Sequence, residues 1–479
     1  MWLLVAATIL HVVLDNRQPA KTMAWVLVVL FLPVVGILLY IFFGINHRHE
    51  RLVSQRQDDD LARRAILSFA TEQDVVVSAD NRRLIDMFAG EGRSLPFHVE
   101  SADVVSSGVE FYDRLVEDIN RARHHVHMLM YIIDDDIVGR RVGEALAAAA
   151  ARGVTVRVVY DDVGCWNVGR RFFETMRESG VDVASFMPVH FPAFTSRANY
   201  RNHRKMVVID GTTGYIGGMN VAKRYCGTKY GCAREWRDVM LRLTGSVVYG
   251  LQRTFLIDWY IVDGTLVTER SYYPAMSLPA GGAVGNSLPA DASGEAATFA
   301  QVVTSGPTDS APEIMQGFVR IILSAKEYVW LQSPYFMPNE PVLFALKTAA
   351  SAGVDVRVMY PMKSDGRFVD WASRTYLREL YEAGVSVWLY DGGFLHSKML
   401  VSDDTVATCG STNVDFRSFE NNFEANIFLY DGSIVGKLKH LFLADQQKSV
   451  PFGSIERRLH PSLAVRLVES MARMLSPLL

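Results

Sequence analysis

Apolar residues along this chain follow three rhythms, and each predicts a different kind of element. Near the N-terminus they run without a break, since Met23 to Phe43 (MAWVLVVLFLPVVGILLYIFF) holds no charge. At about 1.5 Å per residue such a run crosses a hydrocarbon core of about 30 Å, which predicts a transmembrane helix. Pro33 and Gly36 would weaken a soluble helix but are tolerated in membrane spans, and Trp25 and Tyr40 suit the interfaces. The preceding run, Trp2 to Leu14, is shorter. It has no basic n-region and no small-residue cleavage site, so a short first span is expected in place of a removable signal peptide. With DNRQPAK between them the two runs predict a membrane hairpin over residues 1–45. Arg48, Arg51 and Arg56 follow the second run, against Arg17 and Lys21 within the hairpin loop, and this excess places the body on the cytoplasmic side by the positive-inside rule.

The second rhythm is an alternation of short apolar runs with longer helical patterns, an α/β signature. VHMLMYII (Val126 to Ile133) predicts a buried strand, GRRVGEALAAAAARG a helix ended by Gly153, and VTVRVVY (Val154 to Tyr160) the next strand. The order then returns as VWLQSPYF (Val329 to Phe336), PVLFALKTAASAG and VDVRVMY (Val354 to Tyr360). GVTVRVVY at Gly153 and GVDVRVMY at Gly353 are whole-domain distances apart, which predicts an internal duplication and not a solenoid. A further pair, GVDVASF at Gly180 and GVSVWLY at Gly384, shows an insertion in the first half, roughly MPVHFPAFTSRANYR, apolar enough to face lipid or to serve as a packed surface loop.

The third rhythm belongs to the tail, where Leu463, Leu467, Met471 and Met474 fall on one helical face with Arg466, Glu469 and Arg473 elsewhere. That is an amphipathic helix suited to rest on the body or on the bilayer, with docking on the body as the default expectation. The organisation predicted is a membrane anchor (1–45), a charged juxtamembrane region (46–93) with a surface helix, and a first α/β domain (94–270). A Gly-, Pro- and Ser-rich linker (271–297), a second α/β domain (298–455) and the tail helix (456–479) follow.

Composition narrows the partners. Charged residues are 21% of the chain and the formal net charge is −3, whereas a protein that grips nucleic acid along its backbone is usually basic. Nucleic acid is therefore not an expected partner. Cys165, Cys226, Cys232 and Cys409 show neither zinc-ligand spacing nor a disulfide framework, so buried thiols are expected.

The candidate chemistry lies in a repeated pattern, His-x-Lys-x4-Asp-x6-Gly-(Gly/Ser)-x-Asn. It occurs as His203, Lys205, Asp210, Gly217, Gly218 and Asn220, and again as His396, Lys398, Asp403, Gly410, Ser411 and Asn413. Each copy reads strand, turn, strand, with His and Lys two apart on one face so that both reach one phosphate. A lone His-x-Lys means little, but the same spacing twice inside a duplicated domain means a site. A neutral imidazole is a nucleophile that forms a reactive phosphoramidate, and a second imidazole can serve as acid and then base. Lys205 and Lys398 would neutralise the phosphate oxygens, and Asn220 and Asn413 would donate hydrogen bonds to them. With two lysines no metal and no cofactor is expected. Asp210 and Asp403, at the far ends of their strands, read as structural or orienting members of the catalytic motif.

These residues resemble the phospholipase D superfamily, whose His-Lys-Asp motif is this pattern and whose members use two copies at one shared active site. The resemblance covers about Ser94 to Pro451. Within the superfamily the hydrophobic hairpin, RNHRKMVVID, GGMN, PYFMP, LHSKMLVSD, GSTNVDFRS and the terminal SPLL are similar to the bacterial cardiolipin synthases. The departures are Gly218, where Ser is commoner, and the short first apolar run.

The resemblance implies two α-β-α sandwich domains sharing one active site. It implies His203 as nucleophile, His396 as general acid/base, and Asp238 and Glu424 as carboxylates after each motif that orient the imidazoles. It further implies transfer of a phosphatidyl group between two phosphatidylglycerol molecules in the inner membrane, giving cardiolipin and glycerol. Hydrolysis, or transfer to another alcohol, would use the same residues, while an inactive lipid-binding scaffold would be expected to have lost one of them.

Overall fold

The computed structural model describes residues 2–14, 19–44, 77–90, 94–189, 200–274, 298–309, 311–430 and 432–476. The expected juxtamembrane surface helix, the centre of the first-half insertion, most of the linker and the last residues of SPLL lie outside them.

The apolar N-terminus folds as helices Trp2–Leu14, Pro19–Phe31 and Pro33–Leu39, followed by a wider π turn at Tyr40–Gly44. The expected single helix over 23–43 is thus interrupted. Pro33 excludes the residue before it from the helical region, and Leu32 accordingly sits at φ −126°, ψ 66°. Among the described residues no helix is long and apolar enough to cross a membrane. The pieces nevertheless pack on one another through Val5, Val12, Trp25, Val29 and Tyr40, and His11 Nδ1 hydrogen-bonds the Tyr40 hydroxyl at 2.9 Å. Their outward side chains are apolar, with Leu3 87% and Phe31 75% exposed.

In the body, two sheets repeat one topology. In the first, His125–Met130, Thr155–Asp161 and Asp182–Phe186 run parallel, and Met206–Ile209, Thr213–Gly217, Met240–Thr244 and Ser101–Val105 extend it antiparallel. In the second, Tyr328–Gln332, Asp355–Pro361 and Ser386–Tyr390 are the parallel strands, with Met399–Ser402, Val406–Gly410, Asn422–Tyr430 and Thr298–Ser305 beyond them. Two short edge strands, Phe97–Val99 and Ser449–Pro451, also join the second sheet. The parallel strands are covered on both faces, which is why their sequences are continuous apolar runs and not alternating ones.

The crossover helices explain the repeated glycines. Helix Ile137–Ala151 starts at Asp136, whose carboxylate accepts from the N–H groups of Val138 and Gly139, and its chain turns at Gly153 with φ +86°. Its counterpart Glu340–Ser351 turns at Gly353 with φ +88°. Only glycine takes that left-handed conformation without steric cost.

Helices Val248–Asp263 and Ser433–Gln446 share one core with both sheets. Leu129 and Leu241 from the first sheet, Trp330 and Met399 from the second, and Phe255 and Phe442 from these helices are buried in it. Burying each such side chain contributes roughly 1.5–3 kcal/mol, so the halves are held together by a core and not by a hinge. Outer helices cover the remaining sheet faces, and helix Ala79–Ala89 joins the second half's outer core through Leu84, Ile85 and Phe88. The tail helix Leu463–Leu475, capped by Ser462, lies against helix Arg367–Glu382.

Candidate active site

Each histidine of the repeated motif sits just after a two-residue strand that pairs with the opposite half. Arg201–Asn202 runs parallel to Asn422–Phe423, and Phe394–Leu395 runs parallel to Trp236–Arg237. The backbone then continues the exchange. His203 N–H donates to the Phe423 carbonyl at 2.9 Å, and His396 N–H donates to the Arg237 carbonyl at 2.7 Å. His203, Lys205, His396 and Lys398 precede the strands Met206–Ile209 and Met399–Ser402 and are not within them as expected, because there the chain is passing from one half's sheet to the other's.

The exchange brings each imidazole to a carboxylate of the other half. His203 Nδ1 donates to Glu424, 3.0 Å from Oε1 and 3.1 Å from Oε2, and His396 Nδ1 donates to Asp238 Oδ2 at 2.6 Å. With Nδ1–H committed in this way, the lone pair of each neutral ring lies on Nε2. Lys205 Nζ donates to the His203 carbonyl and Lys398 Nζ to the His396 carbonyl. Lys398 Nζ also lies 3.7 Å from Asp238 Oδ2 and 2.8 Å from His396 Nδ1. Since that nitrogen already gives its proton to Asp238, the second approach is a contact and not a hydrogen bond.

All four motif side chains and both carboxylates are buried and interact electrostatically as one cluster. Burial, reinforced by the lysine charges, lowers the His203 imidazole to about 4 and the His396 imidazole to about 3, so both are neutral at physiological pH. Burial also lowers both lysines, Lys205 the more strongly, and Glu424 and Asp238 oppose that shift. Burial would raise the two carboxylates. Lys398 and His396 at Asp238, and His203 and Lys205 at Glu424, outweigh it and hold both below the usual carboxylate range. A bound anion would oppose the burial of the two lysines and favour their charged form.

The aspartates of the motif do not join this cluster. Asp210 accepts the backbone N–H groups of Arg123, His124 and His125 at 2.8–3.2 Å, and Asp403 those of Lys326, Glu327 and Tyr328 at 2.7–3.0 Å. Both sit in the left-handed region, at φ +54° and +51°, and fasten the start of a central strand. Their place among catalytic residues is corrected accordingly: they build the frame and touch no imidazole.

The asparagines differ from each other. Asn220 accepts from Ile132 N–H at 3.0 Å and donates to the Tyr225 hydroxyl at 3.1 Å, so its amide is largely spent inside the fold. Asn413 is 5% exposed, and its side-chain oxygen has no hydrogen-bond partner.

The glycine that departs from the familiar motif has a local reason. A Cβ on Gly218 would lie 2.2 Å from Asp238 Oδ1, so the carboxylate occupies the space a serine would take. In the second half Ser411 is present and its hydroxyl donates to the longer Glu424.

Sequence patterns did not reveal the surrounding aromatic and ionic supports. Tyr131 meets the His203 ring edge-on at 4.8 Å between centroids, and Trp236 lies 4.8 Å from the His396 ring. Lys205 Nζ stands 5.1 Å from the Tyr131 ring. Arg204 pairs with Asp258 at 2.7 Å and donates to the Glu424 carbonyl, while Arg237 pairs with Asp445 at 2.9 Å and donates to the Asp238 carbonyl. The signal was an arginine between His203 and Lys205, inside a run otherwise bound for the interior, where a buried charge requires a partner.

No group of side chains suited to hold a metal ion occurs among the described residues. All four cysteines are free thiols, with Cys165, Cys226 and Cys409 buried.

Comparison with known proteins agrees with this geometry. The family model described as "Cardiolipin synthase, PLD-like domain" matches residues 115–255 and again 318–446, one match per half. A second model, "Phospholipase_D-nuclease N-terminal", matches residues 3–44, the apolar hairpin. The major cardiolipin synthase ClsA of Bacillus subtilis (strain 168) is 36% identical over 97% of this chain and 95% of its own length. A cardiolipin synthase of Alkalihalophilus pseudofirmus is 37% identical over 97% of this chain and 90% of its own. Among solved structures, phosphatidylserine synthase of Haemophilus influenzae Rd KW20 covers 84% of this chain and 99% of its own, with a TM-score of 0.61 at 13% identity, which concerns the fold. With its apolar outward-facing hairpin, the protein is membrane-associated. One matched domain in each half and full-length relatives place the chain in the cardiolipin synthase family of phospholipase D-like proteins.

Proposed function

We propose that this protein is a phosphatidyltransferase that makes cardiolipin from two molecules of phosphatidylglycerol. The observation that carries the reading is the pair of neutral imidazoles, each oriented by a carboxylate of the opposite half, beside two buried lysines. His203 Nε2 attacks the phosphorus of one phosphatidylglycerol, the P–O bond to the head-group glycerol breaks, and His396 gives that oxygen its proton. His396 then takes the proton from a hydroxyl of the second phosphatidylglycerol, whose oxygen attacks phosphorus as the P–N bond breaks and His203 is restored.

Burial keeps His396 neutral in the empty site. The negative charge of a bound phosphodiester opposes that effect, so the imidazolium forms as substrate arrives. Lys205 and Lys398 offset charge on the non-bridging oxygens, and the Asn413 amide supplies a hydrogen bond there; Asn220 contributes at most the N–H it has not given to Tyr225. One phosphodiester replaces another, so no nucleotide is required.

The hairpin inserts into the inner membrane with the body on the cytoplasmic side. Its helix break is tolerated, because freed backbone groups in a bilayer are satisfied by neighbouring segments. Purified protein given phosphatidylglycerol in micelles should form cardiolipin and glycerol in equal amounts, and phosphatidic acid as the main product would mean hydrolysis. For sidedness, a cysteine at exposed Ser271 should react with an impermeant maleimide in inverted vesicles and not in intact cells. The opposite pattern would place the body outside.

A further inference from the structure

The tail helix docks the wrong way round for a soluble protein. Its charged side faces the body, where Glu469 is 1% exposed and bound to Arg378 at 2.7 Å, with Arg374 at 3.8 Å. Arg473 reaches Glu379 at 2.7 Å and stacks over the Tyr376 ring at 4.2 Å. Ala472, on the same side, enters the second half's outer core. The apolar side faces away, leaving Leu463 85%, Leu467 62%, Met471 58% and Met474 79% exposed, flanked by Val468 and Leu475.

An amphipathic helix on a globular body ordinarily buries the apolar stripe. Here ion pairs fix the opposite rotation, and the stripe requires a second apolar medium.

We propose that this face lies in the headgroup–acyl boundary of an anionic bilayer, as a membrane contact separate from the N-terminal hairpin. Two observations favour lipid over a second copy of the chain. The same molecule already carries outward apolar helices at its N-terminus and is membrane-associated, so a bilayer is at hand. Charge on the helix itself agrees as well: its one acidic residue, Glu469, is buried, while Arg466 is exposed; in the preceding turn exposed Arg457 is offset by exposed Glu456. Arginines beside an apolar stripe are the pattern that attracts anionic headgroups. The inference needs membrane association only and does not depend on which alcohol receives the phosphatidyl group.

The test uses the full chain in proteoliposomes containing phosphatidylglycerol, with half-buried Cys232 replaced by serine. A nitroxide is attached to cysteine at position 467, 474 or, as a control on an outer helix of the first half, exposed Asn120. Collisions with oxygen, which concentrates in lipid, should exceed those with a water-soluble nickel chelate at 467 and 474 and fall below them at 120. Nickel collisions dominating at 467 and 474 would put the face in water and overturn the proposal. Exclusion of both reagents, with spin–spin broadening, would overturn it in favour of a second copy, and exclusion without broadening in favour of another part of the chain.

A double variant, L467Q with M471Q, separates contact from folding because both side chains are exposed. Its melting midpoint in detergent should be unchanged, while turnover falls at least about threefold on vesicles and not in excess detergent. Equal turnover changes in the two settings would refute a role for the bilayer contact. The spin-label readout involves no lipid chemistry, so it can fail or succeed independently of the transferase reading.

Discussion

The two halves solve one problem with different side chains. His203 is oriented by a glutamate that a serine supports, and His396 by an aspartate that fills the space above a glycine. The longer carboxylate comes with the added hydroxyl and the shorter one with the missing Cβ. Each pair therefore delivers an oxygen within about a hydrogen bond of an imidazole, and a motif that looks degraded at Gly218 is a matched alternative. The surroundings differ too. Lys398 approaches both Asp238 and its own imidazole, whereas Lys205 stands against the Tyr131 ring. Duplication preserved the frame while allowing the two imidazoles unequal electrostatics, which suits a nucleophile and an acid/base.

The largest expected effect tests whether the imidazoles have separate jobs. H203N and H396N should each lose about 10⁴-fold in kcat, since members of one catalytic unit fail together. In reactions stopped with sodium dodecyl sulfate at neutral pH, which spares the acid-labile P–N bond, phosphorus label from phosphatidylglycerol bound to protein should be absent in H203N and present in H396N. The reverse pattern would exchange the two roles.

Next in size is the matched-pair contrast. G218A places a methyl group against Asp238 and should cost about 10²–10³-fold in turnover by displacing the group that orients His396. S411A removes one hydrogen bond to an ionised group, about 1.5–3 kcal/mol, and should cost less. A larger loss in S411A than in G218A would contradict the complementarity of the pairs.

The asparagines extend the comparison to binding and folding. N220A should lower the melting midpoint, because about 1–3 kcal/mol accompanies each buried group left without its partner. N413A should leave the melting midpoint nearly unchanged and reduce turnover. Similar melting shifts in both would show that the two amides serve alike.

The last test reads a slope, small at each step of pH. Both histidines titrate below their ordinary value of 6.5, at about 4 and about 3, so between pH 6.5 and 4 the unfolded chain binds protons that the folded one refuses. Stability should fall as pH drops through that window, by about 1.4 kcal/mol per pH unit for each ring. Chemical unfolding in detergent should show a shallower pH dependence in H203N and H396N than in the parent, and an identical dependence would mean that the rings are not buried neutral.

Much of the fold was legible because it repeats. Gly153 and Gly353 mark the same left-handed turn, and the parallel strands around them are apolar on both faces. The motif residues were legible for the same reason. What could not be read was which half each carboxylate would serve, since Asp238 follows the first motif in sequence and acts on the histidine of the second. Periodicity likewise identified the tail helix but not its rotation: spacing marks an apolar face, and the ion pairs of Glu469 and Arg473 decide which face turns inward. Pro33 was visible in the apolar run, yet the break it causes at Leu32 depends on local backbone geometry that a hydropathy reading passes over.

The exchange of carboxylates between halves also bears on how the protein is made. Synthesis proceeds from the N-terminus, and His203 emerges well before Glu424, the residue 221 positions later that fixes its tautomer. A ribosome-bound chain that has completed only its first half thus carries His203 without Glu424 and Asp238 without His396. On the proposed chemistry, a chain truncated before His396 should therefore turn over no phosphatidylglycerol, because His203 would have neither its carboxylate nor its partner ring.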